Sequence, residues 1–179
     1  KIVQPQWMQQ AIQALQQNPE AVVICGGSDV LIKIREGKLA GCSLVSIREI
    51  PALGEIRMEA DGTIVIGPAY TFSQVTNHPI IQQHIPTLGY ATDQAGGPQL
   101  RNIGPIGGNI CNGVTSADSA PALLTLNAEL EITGPNGARR VAPEQFYAVP
   151  GRVPLAHDSL PTSVPTARSS SEPHAHHYF

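Results

Sequence analysis

Apolar residues recur at helical spacing near the start of the chain, where Trp7, Met8, Ala11, Ile12 and Leu15 share one face and glutamines fill the others. The spacing predicts an amphipathic helix that ends near Asn18-Pro19, where proline cannot continue it. Ala21 to Ile24 is an unbroken aliphatic run and reads as a short buried strand that enters Cys25-Gly26-Gly27-Ser28-Asp29 directly. Val30 to Ile34 has four aliphatics in five residues, which fits a short helix or a strand. Leu44 to Ile47 reads as another buried strand. Ile56 to Glu59 and Thr63 to Ile66 flank Asp61-Gly62, the pattern of a β-hairpin with a tight turn.

Further along, Thr71 is placed to cap a helix beginning at Phe72. Helical segments follow from Pro79 to His84 and from Pro86 to about Gln94. Pro98, Gly104 and Pro105 break the pattern, and the reading from there to Ala120 is loop. Ala122 to Leu126 fits a short helix or buried turn. Glu129 to Thr133 alternates charge and aliphatic as a half-buried strand does, and Gly134 to Gly137 turns it back toward Arg139 to Ala142. After about Leu155 periodicity is lost: residues 159 to 171 are rich in Ser, Thr and Pro and read as a mobile, irregular tail over 159–179. Helices mixed with strands and a hairpin argue an α+β fold, not a doubly wound parallel sheet.

Composition narrows the classes. The chain has 179 residues, 41% of them hydrophobic and 14% charged, enough for a folded core. A net charge of −3 and a pI near 6.0 leave no basic surface for nucleic acid. No apolar run reaches the roughly 20 residues of a membrane-spanning helix, and no apolar stretch of about 7–15 residues follows Lys1 as in a signal peptide. Three cysteines, at 25, 42 and 111, form no Cys-x-x-Cys pair, which suits a reducing cytoplasm and no zinc or iron–sulfur site.

Two glycine-rich segments carry the candidate chemistry. In the first, a strand runs through Gly26-Gly27 into an apolar segment, a geometry that clusters backbone N–H donors suited to a pyrophosphate. It is neither the Gly-x-Gly-x-x-Gly fingerprint nor a P-loop. The second runs from Arg101 through Gly104, Pro105, Ile106, Gly107, Gly108, Asn109 and Asn112 to Ser116 and Asp118. It alternates bare backbone with side chains able to bond cofactor hydroxyls. The residues alone leave open a pair of surface loops or one nucleotide-cofactor site. Lys33, Arg35 and Lys38 read as a solvated helix face, Glu129 and Glu131 as solvent-facing, and Cys111 as a small buried thiol. His174, His176 and His177 read as a solvated terminus. His157 and Asp158 are adjacent, with no nucleophile elbow to complete a hydrolase triad.

Ile24-Cys25-Gly26-Gly27-Ser28-Asp29-Val30-Leu31 resembles the "A-G-G-T-D-L-L" loop of the flavin-binding subunits of molybdenum hydroxylases. Arg101 to Ile110 resembles their "R-N-x-x-T-I-G-G-N-I" segment, and Ser116 to Ala128 their "S-x-x-D-x-x-P-A-L-L-A-L-D-A". The likeness covers about residues 10 to 158 and is nearest to bacterial xanthine dehydrogenases. It implies a PCMH-type FAD-binding domain over 1–158, built of two small α+β subdomains that meet near residue 50. The family continues with a C-terminal domain that is missing here, so the resemblance implies a truncated member.

By the resemblance, Val22, Val23, Ile24, Cys25, Gly26, Gly27, Ser28 and Asp29 wrap the FAD pyrophosphate, and Gly104, Pro105, Ile106, Gly107 and Gly108 line the flavin and its phosphates. Asp118 holds the polar end of the cofactor, with Asn109 and Ser116 as secondary contacts. Pro105 stands where the family has threonine, which removes a hydroxyl and an N–H. The implied activity is that of a flavoprotein subunit passing electrons from iron–sulfur clusters through FAD to NAD, with molybdopterin and 2Fe-2S on partner subunits. No metal ligand and no side-chain general base is expected of this chain. Two other readings stay open: another FAD oxidoreductase of the same fold, or a truncated remnant that binds FAD weakly.

Overall fold

The computed structural model describes residues 1–113, 117–146 and 153–167. The first strand, β1 (Ile2–Val3), leads into helix α1 (Met8–Gln17), which buries Ala11, Ile12 and Leu15, the face expected from their spacing. Strand β2 (Val22–Ile24) is followed by helix α2 (Val30–Arg35), which settles the open choice between helix and strand. With β3 (Leu44–Ser46) these strands form a parallel sheet in the order β1-β3-β2.

A 3-10 turn at Pro51–Leu53 leads to the hairpin of β4 (Ile56–Met58) and β5 (Ile64–Ile66). At its tip Asp61 Oδ1 accepts the Thr63 N–H, which holds the Asp61 carboxyl below its usual range. Helix α3 (Phe72–Asn77) opens with a capping box in which Thr71 and Gln74 each bond the other's backbone N–H. Helices α4 (Pro79–His84) and α5 (Pro86–Asp93) each begin with proline in the first turn.

Two expectations are corrected here. The stretch read as loop from Pro98 to Ala120 contains helices α6 (Pro98–Ile103) and α7 (Ile106–Cys111), followed by α8 (Ser119–Thr125). Glycine weakens a helix by about 1 kcal/mol per residue, but Ile106 and Ile110, one turn apart, are buried in the main core and hold α7 in place. The run read as an irregular tail from residue 159 contains strand β8 (Leu160–Thr166). Residues 168–179, including the terminal histidines, lie outside the described residues.

Strand β6 (Leu130–Gly134) pairs with β7 (Gly137–Val141), and helix α9 (Pro143–Phe146) follows. The large sheet has the order β4-β5-β8-β6-β7, so β8 is its central strand. Proline lacks a ladder donor and usually argues against such a place. Here Pro161 falls beside the irregularity between Glu131 and Ile132. The Pro165 carbonyl accepts the Glu129 N–H one residue before β6 begins, where that ladder ends. Threonine hydroxyls add bonds across the sheet, from Thr166 to the Ile64 carbonyl and from Thr162 to the Glu131 carbonyl.

Two apolar clusters result. One joins the large sheet to α3, α4, α5, α7 and α8; the other joins the small sheet to α1. Strand β8 serves both, with Val164 in the first and Leu160 in the second. The chain thus changes from small to large sheet between Ser46 and Ile56, and β8 ties the two together.

Candidate cofactor site

The first glycine segment leaves the carboxyl end of β2 and becomes the first turn of α2, the place where parallel α/β units offer their ligand sites. Among the described residues, none of the backbone N–H groups from Cys25 to Val30 finds an acceptor. Asp29 occupies the N-cap position of α2, where a carboxylate ordinarily accepts an N–H of the first turn. It makes no such bond. Its carboxylate lies instead 2.5 Å from the Lys33 ammonium.

The second segment is brought against the first by close backbone packing. A Cβ on Gly26 would fall on the carbonyl oxygen of Ile103 and 2.6 Å from Pro105 Cδ. Only glycine lets the loop after β2 lie on the turn between α6 and α7. Gly107 is equally tight, since a Cβ there would lie 2.7 Å from the Pro68 carbonyl oxygen. Pro105 forms an antiparallel bridge with Thr71, flanked by bonds from Phe72 N–H to the Gly104 carbonyl and from Ile106 N–H to the Tyr70 carbonyl. In such a pair the central N–H points away from the partner strand. Proline therefore costs no bond to Thr71, and the donor it lacks is one that would have pointed outward.

These elements enclose a cleft of about 550 Å³, within the range of roughly 300–1,000 Å³ typical of cofactor sites. Of the residues expected in a site, Val23, Cys25, Gly26, Gly27, Ser28, Asp29, Gly104, Pro105, Gly107, Gly108 and Asn109 line it. Val22 and Ile24 do not line it, and Ile106 is buried in the main core. Asp118 is exposed just ahead of α8 and is not on the cleft wall, and Ser116 lies outside the described residues. Ser119 donates to Asn109 Oδ1 at 2.6 Å, which fixes that side chain and leaves its NH₂ end without a partner among the described residues.

Sequence reasoning missed the apolar part of the wall, contributed by Ile32, Ile47, Phe72, Leu100, Leu155 and Leu160. It also placed Lys33 on a solvated helix face, whereas Lys33 lines the cleft. Its spacing four residues after Asp29, on one helix face, was the available signal.

Two thiols line the cleft. Burial pushes the Cys25 thiol up to about 11, with Arg48 opposing and Glu49 adding to the rise, and burial pushes Cys111 up to about 12. Both are neutral thiols at pH 7, a poor state for a nucleophile. No histidine lines the cleft among the described residues. Away from it, His78 is pulled below its usual range by burial and meets Tyr70 edge-on. The arrangement supplies N–H donors, a charged pair and apolar walls. It suits holding a phosphate-bearing ring system, and FAD fits that description.

Comparison with known proteins agrees. Residues 1–165 match the family described as FAD binding domain in molybdopterin dehydrogenase. The chain belongs to that family. It is 43% identical over 150 residues to the xanthine dehydrogenase FAD-binding subunit of Escherichia coli O157:H7, covering 84% of this chain and 51% of that protein. It is 35% identical over 156 residues to the nicotinate dehydrogenase FAD-subunit of Eubacterium barkeri, covering 83% and 52%. Among solved structures, a carbon monoxide dehydrogenase of Hydrogenophaga pseudoflava that lacks the Mo-pyranopterin moiety superposes with a TM-score of 0.91 at 27% identity. That match covers 96% of this chain and 60% of the other. The chain spans about half the length of the curated relatives it matches. Among the described residues no helix is long and apolar enough to cross a membrane.

Proposed function

We propose that this chain is the FAD-holding part of the flavoprotein subunit of a molybdenum hydroxylase resembling xanthine dehydrogenase. It would work beside molybdopterin and 2Fe-2S partner subunits, with NAD as the electron acceptor. The observation that carries the reading is the junction of the two glycine segments, where unpaired N–H donors from Cys25 to Val30 share a cleft with Gly107, Gly108 and Asn109. Bound there, FAD would supply both one-electron and two-electron redox chemistry.

The tasks of this chain's own residues follow from their chemistry. The N–H groups from Cys25 to Val30 bind the diphosphate, and the Gly108 N–H and the Asn109 side-chain NH₂, which have no acceptor among the described residues, are available for further acceptors. Val23, Ile47, Phe72 and Leu160 keep water from the flavin ring. Pro105 removes one donor that threonine would have provided, so the diphosphate relies more heavily on the first loop. Among the described residues, no histidine lines the cleft to shuttle protons. The unpaired cysteines at 25, 42 and 111 suit a reducing cytoplasm.

The test is to add FAD to the purified chain, remove the excess, and record the visible spectrum. Retained flavin supports the reading, and a colourless protein overturns it. Reduction of the loaded chain with dithionite, followed by NAD, tests the acceptor. NADH formation is expected. Failure with NAD while ferricyanide still reoxidises the flavin would overturn the NAD assignment alone.

A further inference from the structure

Among the described residues, Asp29 and Lys33 are the only formally charged side chains on the cleft wall. They stand one helical turn apart, joined at 2.5 Å, and each is about half exposed. In that position Asp29 forgoes the usual cap of α2 and holds the ammonium beside the loop whose N–H groups have no acceptor among the described residues. Those groups carry only partial charges, whereas each phosphate of a dinucleotide diphosphate carries a full negative one. A carboxylate at the mouth of an anion site is repulsive unless a cation offsets it.

We infer that Lys33 is the counter-cation of the cofactor's diphosphate, set over the phosphate loop by its pairing with Asp29. The inference rests on the FAD reading of the cleft and adds to it a positioning residue outside the glycine segments. Nothing else on the described wall neutralises the ligand, because every remaining lining residue is apolar or uncharged. The four-carbon stem of lysine lets the ammonium swing from a carboxylate to a phosphate without moving the helix. An ordinary exposed i,i+4 ion pair, by contrast, would contribute little and would not concern the ligand.

The experiment compares the 179-residue chain with Lys33→Met and Lys33→Arg, titrating each with FAD and with riboflavin, which has no phosphate. Lys33→Met is expected to weaken FAD about tenfold, about 1.4 kcal/mol, and to leave riboflavin unchanged. Its FAD affinity should also respond less to added KCl than that of the wild type. Lys33→Arg, which keeps the charge, should restore most of the affinity. Equal losses for FAD and riboflavin would show a structural role and overturn the inference, as would an unchanged FAD affinity. A folded wild-type chain that binds neither ligand overturns the flavin reading itself.

Discussion

Replacing Gly26 by alanine tests whether the two glycine segments form one site. The added Cβ would overlap the Ile103 carbonyl oxygen and lie 2.6 Å from Pro105 Cδ and 3.1 Å from the Ile103 carbonyl carbon. Optimal carbon–carbon contacts are about 3.5–4.0 Å, so the loop must retreat by about 1 Å. Two of the three obstructing atoms are backbone, which cannot rotate aside. Overpacking of this kind costs about 1–3 kcal/mol, and at about 2–4 °C per kcal/mol for a chain of this size Tm falls by about 2–12 °C. The same retreat moves the N–H donors, and each hydrogen bond to a charged group is worth about 1.5–3 kcal/mol, so FAD binding weakens about 10- to 100-fold. Gly37→Ala is the control. Gly37 has φ +79° and nothing within 4 Å of an added Cβ, so it should lose stability through backbone strain and keep FAD affinity. Differential scanning fluorimetry gives the stability and flavin fluorescence titration the affinity. If Gly26→Ala bound FAD as tightly as the wild type, or Gly37→Ala lost as much, the packing argument would be refuted.

Leu160 in β8 is buried in the small-sheet cluster and lines the cleft, so Leu160→Ala should cost about 2–5 kcal/mol in urea unfolding; a change below about 0.5 kcal/mol, as for a surface site, would contradict the central place of β8. Thr71→Ala removes the capping box of α3 and should lower stability by about 1 kcal/mol, while Thr71→Ser keeps most of it. The Cys25 and Cys111 thiols titrate at about 11 and about 12 when folded, against 9.0 when exposed. Between those values the unfolded chain binds fewer protons than the folded one, so their contribution is intact below pH 9 and is lost as pH rises through about 11 to 12. The urea midpoint should therefore fall above pH 9, and Cys25→Ser should flatten part of that slope; a wild-type midpoint that does not fall there would count against the burial of both thiols.

What was legible in the chain follows from how local each signal is. Ala11, Ile12 and Leu15 define α1 by their own spacing, Thr71 and Gln74 set the start of α3, and Asp61-Gly62 turns the β4–β5 hairpin. The two glycine segments are visible in sequence as bare backbone, which by itself left open a pair of surface loops or one nucleotide-cofactor site; the resemblance, not the local pattern, pointed to FAD. Strand β8 was illegible because its prolines are tolerated only through an irregularity in β6 and a ladder end, features that belong to the partner strand. Helix α7 was hidden for a related reason: its glycines argue against helix, and only tertiary burial of Ile106 and Ile110 overrides them. The apolar cleft wall comes from residues as distant as Val23, Phe72 and Leu160, which no local pattern brings together. Asp118, implied by the resemblance alone, is exposed just ahead of α8 and is not among the described residues that line the cleft.

The loop from Cys25 to Val30 and the turn from Gly104 to Asn109 are expected to hold one FAD between them. Amide hydrogen exchange of the purified chain, with and without FAD, checks this, since the N–H groups from Cys25 to Val30 have no acceptor among the described residues. Binding should slow exchange in both segments together and leave the β4–β5 hairpin, none of whose residues lines the cleft, unchanged. FAD that binds without protecting either segment, or protects only one of them, would contradict the account.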